Sequence, residues 1–419
     1  MRTSGPPSPG PGAQRPGGEA RVPAAEHHDD GLRPSAGGGR HRAVGGETGA
    51  GAGSVTASPC RAGGDDAQTL AGLGEAGVLR VIGRELAVVE ERRPWPEGSV
   101  GIGDDAALLP VSPGGTLVSA DSMAEGHDWL PTWPAGVRTR GFDVGWKAAA
   151  QNLSDINAMG GVPTALVMAL TGPRRTEAAW IAGVARGLAT ALLRLGADEC
   201  RVAGGDLGGA DRAGLAVTVL GRPGVHGVLR RTMGEQDLAA VRSEGGAVVH
   251  AGSAPGWAAA GLALLFTDRA ELEERWHGLA PQDRPGPREF VRAVRAQLRP
   301  RPPLGAGPAG AGAFACGMDV SDGLGRDADR LAAANGVQLW ADEAWVAEAA
   351  APLRGLGRLL DIAPEEWVLG GGEDYGLLAV LRPGHGVPPG FRVIGAVPSS
   401  SSVPAGHRLL GEAGWDHFA

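Results

Sequence analysis

Lysine is all but missing from this chain: of 39 basic residues in 419, only Lys147 is a lysine. The others are arginines on an Ala-rich background, the mark of a GC-rich coding bias, so arginine alone carries no functional message here. Cysteine is nearly as scarce. Cys60, Cys200 and Cys316 stand more than a hundred residues apart, which leaves neither metal-knuckle nor redox spacing and no disulfide framework; a reducing, cytoplasmic setting is expected. Aromatic residues make up 4% of the chain, and 11 of them are Trp. An excess of positive charge is lacking too. The formal charge is -8, which provides no field for a polyanion, so broad nucleic-acid binding is not expected. The N-terminus, MRTSGPPSPGPGAQRPGG, has no signal-peptide core, and VPTALVMAL and GWAAAGLALLF are too short to span a bilayer, so no membrane partner is expected.

What is present is glycine and proline, 72 and 32 residues, without the period of collagen. They crowd residues 1–64, where hardly any large apolar residue occurs, and this segment is expected to be a disordered low-complexity tail. From Gln68 the pattern becomes that of a folded chain, with apolar residues at 42% overall and enough of them for a sizeable core. TLAGLGEAGVLRVIGREL predicts one or two short helices, so its Gly72, Gly74 and Gly77 match the dinucleotide fingerprint G-x-G-x-x-G only by chance, with no strand before them. TLVSAD (116–121) predicts a strand, DVGWKAAAQNLSDINAM a helix with Lys147, Gln151 and Asp155 on one face, VPTALVMAL a buried strand, and TEAAWIAGVARGLATALLRLG a helix. RVAGGD and GLAVTVLG predict two strands close enough to pair around the turn between them. A boundary is expected near residue 223, dividing an N-terminal domain (65–222) from a C-terminal one (223–419). In the latter, FACGMDVSDGLGRDADRLAAANG predicts strand, turn and helix, and WVLGGGEDYGLLAVL turn and strand. Strands alternating with helices in both halves indicate α/β or α+β units.

One local feature recurs: an acid near a strand or helix end, in most cases beside glycine. It occurs at Gly103-Asp104-Asp105, Ala120-Asp121, Ser154-Asp155, Gly204-Gly205-Asp206, Asp319-Val320-Ser321-Asp322-Gly323 and Gly371-Gly372-Glu373-Asp374. Glycine lets a phosphate approach the backbone closely. Carboxylates without histidine or cysteine are hard oxygen ligands suited to Mg²⁺. Several such acids fit a polyphosphate whose charge must be neutralised while a phosphoryl group moves. The common nucleotide motifs are absent: no Walker loop, since the only lysine is followed by Ala148, no kinase H-R-D or D-F-G, and no G-x-S-x-G elbow.

Taken in order, GIGDDAALL, VSAD, KAAAQNLSDINAMGG, AGGD, MDVSDGL, LGGGEDY and the terminal GWDHF resemble the thiamine-monophosphate kinase family, within the superfamily of aminoimidazole-ribonucleotide synthetase and selenophosphate synthetase. The resemblance covers residues 68–419. It implies an α/β and α+β two-domain, PurM-like (aminoimidazole-ribonucleotide synthetase-like) fold, a homodimer built through a sheet barrel, and several Mg²⁺ ions bridging the phosphates of ATP. It further implies direct transfer of the γ-phosphoryl group to thiamine monophosphate without a covalent intermediate, and hence no catalytic nucleophile. The positions matching the family's metal ligands are Asp105, Ser119, Asp121, Asp155, Asp206, Asp319 and Asp322, with Asp104 in support. Arg231 and Ser321 match positions that touch ATP. Lys147 is offered either to a phosphate or, preferably, to the acidic cluster. Glu373 and Trp415 match substrate contacts, and an indole suits a cationic thiazolium ring.

The chain departs from the family where a substrate-contacting histidine is usual. It reads Glu125-Gly126-His127-Asp128-Trp129, which leaves Asp128 at that position and His127 one place early. An acid there would repel an acceptor phosphate, so a phosphotransferase acting on another small phosphate ester is the alternative, and a non-catalytic nucleotide-binding dimer a second. Selenophosphate synthetase would want a reactive cysteine near a lysine, and the hydrogenase-maturation relative a C-terminal cysteine; the chain has neither.

Overall fold

A computed structural model of the chain describes residues 69–94, 96, 109, 114–399, 404–411 and 414. The expected tail, Asp104, Asp105 and Trp415 lie outside the described residues. The N-terminal part runs α1 (Leu70–Arg92), β1 (Leu117–Ala124), α2 (Gly141–Ala158), β2 (Gly161–Gly172), α3 (Ala178–Leu195), β3 (Arg201–Gly209) and β4 (Gly214–Pro223). The remainder runs α4 (Glu235–Glu244), β5 (Gly246–Ala251), α5 (Trp257–Phe266), α6 (Arg269–Gly278), α7 (Pro287–Leu298), α8 (Ala306–Gly310), β6 (Phe314–Val320), α9 (Leu324–Asn335), β7 (Trp340–Asp342), α10 (Glu343–Ala350), α11 (Arg354–Leu360), α12 (Pro364–Gly370), β8 (Gly376–Leu381), β9 (Phe391–Val397) and β10 (His407–Leu409).

Thr69 opens α1 by accepting the Gly72 N–H on its Oγ1 at 3.2 Å, and the helix bends at Gly74, where φ is 63°. The chance dinucleotide match is thus part of a bent helix. The first sheet has the order β1-β4-β2-β3. Here one expectation fails: β3 and β4 do not pair. β2 lies between them, parallel to β3 and antiparallel to β4. The physical reason is that β2 is twelve residues without a charge, and a strand so apolar is best placed in the interior of a sheet with a neighbour on each side. The second sheet, β10-β7-β9-β5-β8-β6, is antiparallel throughout. The mixed first sheet and antiparallel second sheet, each with its own helices, make up the expected α/β and α+β two-domain architecture.

Helices α2 and α3 cover one face of the first sheet. The N–H of Arg140 donates to Asp143 Oδ2 at 2.9 Å at the start of α2, and Gly160, at φ 68°, follows its end. α3 contributes Ile181, Val184, Leu188 and Leu192, each 1% exposed or less; burying a side chain of this kind is worth on the order of 1.5–3 kcal/mol. By length and composition α3 is long and apolar enough to cross a membrane, unlike the two shorter apolar runs VPTALVMAL and GWAAAGLALLF, yet 61% of it is buried inside the fold. α2 also reaches the second half of the molecule. The Trp146 Nε1–H donates to the Pro300 carbonyl at 2.8 Å, and Asp143 pairs with Arg299 at 2.6 Å beneath the Phe142 ring.

Candidate active site

Alternation along β1 places Leu117, Ser119, Asp121 and Met123 on one face and the more exposed Val118, Ala120, Ser122 and Ala124 on the other. The first face meets the last turns of α2, where the N-L-S-D run of the sequence makes three different connections. Asn152 accepts the Asp121 N–H on Oδ1 at 3.2 Å and donates Nδ2–H to the Ala148 carbonyl at 2.8 Å. Asp155 accepts the Ser119 hydroxyl on Oδ2 at 2.5 Å. Ser154, fully buried, donates its hydroxyl to Asp319 Oδ2 at 3.1 Å, reaching into β6 of the second sheet. One helix end therefore fixes an acid from each half of the molecule.

Burial raises the pKa of all three acids, and the charge of Asp155 adds to the rise at Asp121 and Asp319. Burial, then Asp155 and Asp128, push Asp121 up to about 6. Burial, then Asp155 and Asp327, push Asp319 up to about 7 against the opposing hydrogen bond from Ser154 and the charge of Arg231. Asp155 is raised by burial, with the Ser119 hydroxyl and Arg231 pulling the other way. Such a group calls for a cation. Among the described residues no three acids close around one point as a finished metal cage. The arrangement is a row, Asp121 beside Asp155 beside Asp319. That fits Mg²⁺, which binds through one or two carboxylates and completes its shell with water and phosphate oxygens.

The other expected ligands are placed differently. Asp206 is exposed on β3, three strand spacings from β1, or about 14 Å across the sheet. Asp322 pairs with Arg330 at 2.5 Å, and the same guanidinium reaches Asp327 at 2.8 Å. Asp327 is fully buried and accepts the N–H groups of Ser321 and Asp322 on Oδ2, both at 2.9 Å. Arg231 is exposed, and its charge stabilises the ionised forms of Asp155 and Asp319. His127 is exposed, while Asp128 accepts the Ala124 N–H on Oδ2 at 2.6 Å and so closes its own turn. The departure at residue 128 is thus a turn acid whose charge also reaches Asp121.

The motifs VSDG and GGGEDY form one knuckle. The Glu373 N–H donates to the Ser321 carbonyl at 2.7 Å and the Tyr375 N–H to the Val320 carbonyl at 3.0 Å. Gly323 has φ 121°, and a Cβ on it would stand 2.7 Å from the Gly370 carbonyl oxygen. This glycine is required by the backbone of Gly370 packed against it. Glu373 and Tyr375 hold φ values of 65° and 50°, a conformation that costs about 1–3 kcal/mol each and gathers at functional sites. Three successive side chains then part. Asp374 accepts the N–H groups of Gly256 and Ala258, at 2.6 and 3.2 Å, at the start of α5. Glu373 pairs through Oε1 with Lys147 at 2.5 Å and accepts the Gln297 Nε2–H on Oε2. Tyr375 is buried among acids, its hydroxyl held well above its ordinary pKa by burial and then by Glu373, Asp121, Asp319 and Asp155. Sequence reasoning missed Tyr375, Asn152, Ser154, Asp327 and Gln297. For Tyr375 a signal existed, since it is the single tyrosine of the chain.

A cavity of about 580 Å³ opens at the opposite end of α2, beside Arg140, Trp180, Phe290 and Arg299, and holds none of these acids.

Comparison with known proteins gives a consistent result. The family model for the AIR synthase related protein, N-terminal domain, matches residues 103–222. The thiamine-monophosphate kinase of Mycobacterium tuberculosis (strain CDC 1551 / Oshkosh) is 33% identical over 352 residues, covering 82% of this chain and 94% of that protein. Among solved structures, the thiamine-monophosphate kinase of Stenotrophomonas maltophilia K279a aligns with a TM-score of 0.56 at 25% identity, over 78% of this chain and 93% of its own. AaThiL complexed with AMPPCP and TMP aligns with a TM-score of 0.56 at 25% identity, over 83% and 97%.

Proposed function

Since the chain belongs to the thiamine-monophosphate kinase family, we propose that it transfers the γ-phosphoryl group of ATP to the phosphate of thiamine monophosphate, giving thiamine diphosphate and ADP. The observation that carries this reading is the row of Asp121, Asp155 and Asp319, brought from both halves of the molecule by the end of α2. The complex of AaThiL with AMPPCP and TMP supports a nucleotide and a phosphorylated acceptor meeting on this fold.

Asp121, Asp155 and Asp319 would hold Mg²⁺, which supplies charge neutralisation for the two phosphate chains. Arg231, whose charge already reaches Asp155 and Asp319, adds a cationic group on the same side and is assigned to ATP together with Ser321. Glu373 is assigned to the acceptor, as is Trp415. The acceptor oxygen of a phosphate monoester is ionised at neutral pH, so the transfer needs no general base, and the acids of the row serve position and charge. Asp105, Ser119, Asp206 and Asp322 complete the proposed ligand set, Asp206 standing apart from the row on the other face of the first sheet. Asp206 and the exposed residues of β1 share the uncovered side of the first sheet, the face through which we assign a homodimer. Free, buried Cys200 and Cys316 suit a reducing, cytoplasmic setting.

The reading is tested by following ADP release from ATP and Mg²⁺ with thiamine monophosphate, with thiamine, and with an unrelated phosphate monoester. Release with the first alone is the expected result. Release with the unrelated ester alone would favour a different phosphotransferase, and ATP binding with no release under any condition a non-catalytic protein.

A further inference from the structure

Within the acceptor side of this site, one cluster has an unusual composition. Lys147 is 4% exposed and its Nζ lies 2.5 Å from Glu373 Oε1. Every other basic position in the chain is arginine. A buried guanidinium carries five N–H groups in a rigid fork, an ammonium three on a rotatable end, so a pocket with a single carboxylate oxygen on offer accepts lysine and not arginine. Coding bias therefore gives way at this position. Gln297 occupies the other side of the same carboxylate. It is 2% exposed, donates Nε2–H to Glu373 Oε2, and leaves its Oε1 buried with no hydrogen-bond partner among the described residues. An unpartnered buried polar atom costs about 1–3 kcal/mol, so stability alone favours an apolar residue there. Both oxygens of Glu373 are thus gripped, on a backbone already held at φ 65°.

We propose that Lys147 and Gln297 are positioning residues that fix the Glu373 carboxylate for contact with the acceptor, so that together they set affinity for thiamine monophosphate and not for ATP. The inference rests on the functional reading above and assigns Lys147 to the acceptor side of the site.

The test is steady-state kinetics with each substrate varied in turn, together with melting temperatures, on the full chain and its Gln297→Leu, Lys147→Arg and Glu373→Gln variants. Gln297→Leu is expected to raise KM for thiamine monophosphate about tenfold, to leave KM for ATP within about twofold, and to melt at the same or a higher temperature. Lys147→Arg moves the same KM in the same direction. Added to Glu373→Gln, Gln297→Leu produces no further loss, because the carboxylate it positions is gone. A Gln297→Leu enzyme that melts lower with an unmoved acceptor KM would make the residue merely structural and overturn the proposal. So would a rise in KM for ATP alone. If Lys147→Arg fails to fold, Gln297→Leu and its combination with Glu373→Gln still decide the matter. A wild-type enzyme that makes no thiamine diphosphate refutes the functional reading, whereas wild-type turnover with an unmoved acceptor KM refutes the positioning role alone.

Discussion

Asp155 is the residue through which the acid row is joined, since its charge is felt by both Asp121 and Asp319. In Asp155→Asn the side-chain oxygen still accepts the Ser119 hydroxyl while the repulsion disappears. Turnover with Mg²⁺ is expected to fall by at least about 100-fold, with the metal-free protein melting at the same or a higher temperature. Calorimetry and product assays on the same preparation check both halves of that statement. His250 shows the opposite balance. It is 6% exposed, its Nε2 has no partner among the described residues, and burial lowers its pKa to about 4. The unfolded chain binds a proton near pH 6.5 that the folded chain refuses, so stability is present above that pH and is lost as the pH falls toward 4. The contribution is on the order of 3 kcal/mol, and a His250→Leu variant should show a flatter fall of denaturation midpoint across this window. Residues of these two kinds differ in legibility. Asp121, Asp155 and Asp319 stand out in the sequence because each falls at a strand or helix end within the ordered set VSAD, KAAAQNLSDINAMGG and MDVSDGL. Gln297 and Ser154 carry no such mark, because their role comes from partners more than 70 residues away.

The position of α2 relative to its neighbours depends on glycine. A Cβ on Gly145 would stand 1.9 Å from the Val184 carbonyl oxygen, and one on Gly187 would stand 2.0 Å from that of Phe142, so α2 and α3 pack backbone against backbone. Gly145→Ala forces the helices apart and is expected to cost about 3 kcal/mol. It should also lower turnover more than the loss of folded protein explains, because the far end of α2 carries Asn152, Ser154 and Asp155. Turnover per folded molecule equal to wild type would show that the helix end is not held from this contact. Most helices and strands can be read from the sequence, where apolar periodicity and glycine stops coincide, as in α2, α3 and β6. The pairing of β3 with β4 is read wrongly, because a short connection suggests a hairpin and nothing local reveals that β2 competes for the same edge. Tertiary burial of the most apolar strand decides it.

At the scale of the whole molecule, the helices of the described residues cover only one face of the first sheet. Across the other, Ser122, Ala216 and Ala169 stand in one row and Ala120, Thr218 and Val167 in the next, with Val118 62% exposed. Small and β-branched residues on an uncovered sheet face suit burial against a second copy. Light scattering should give twice the chain mass, and Ala216→Arg, which places a charge in the middle of that face, should give the monomer. The division into two sheets is legible in the sequence through the two sets of strands, whereas their joining by Ser154 and Asp319 is not, because no pattern within either half encodes a contact between halves. The acid row is assigned one task, movement of the γ-phosphoryl group of ATP onto thiamine monophosphate. Its most direct test uses ATP labelled at the γ-phosphorus, incubated with the enzyme, Mg²⁺ and thiamine monophosphate. The label is expected in the terminal phosphate of thiamine diphosphate, with one ADP formed for each product. Label released as inorganic phosphate, or ADP formed without thiamine diphosphate, would contradict that assignment.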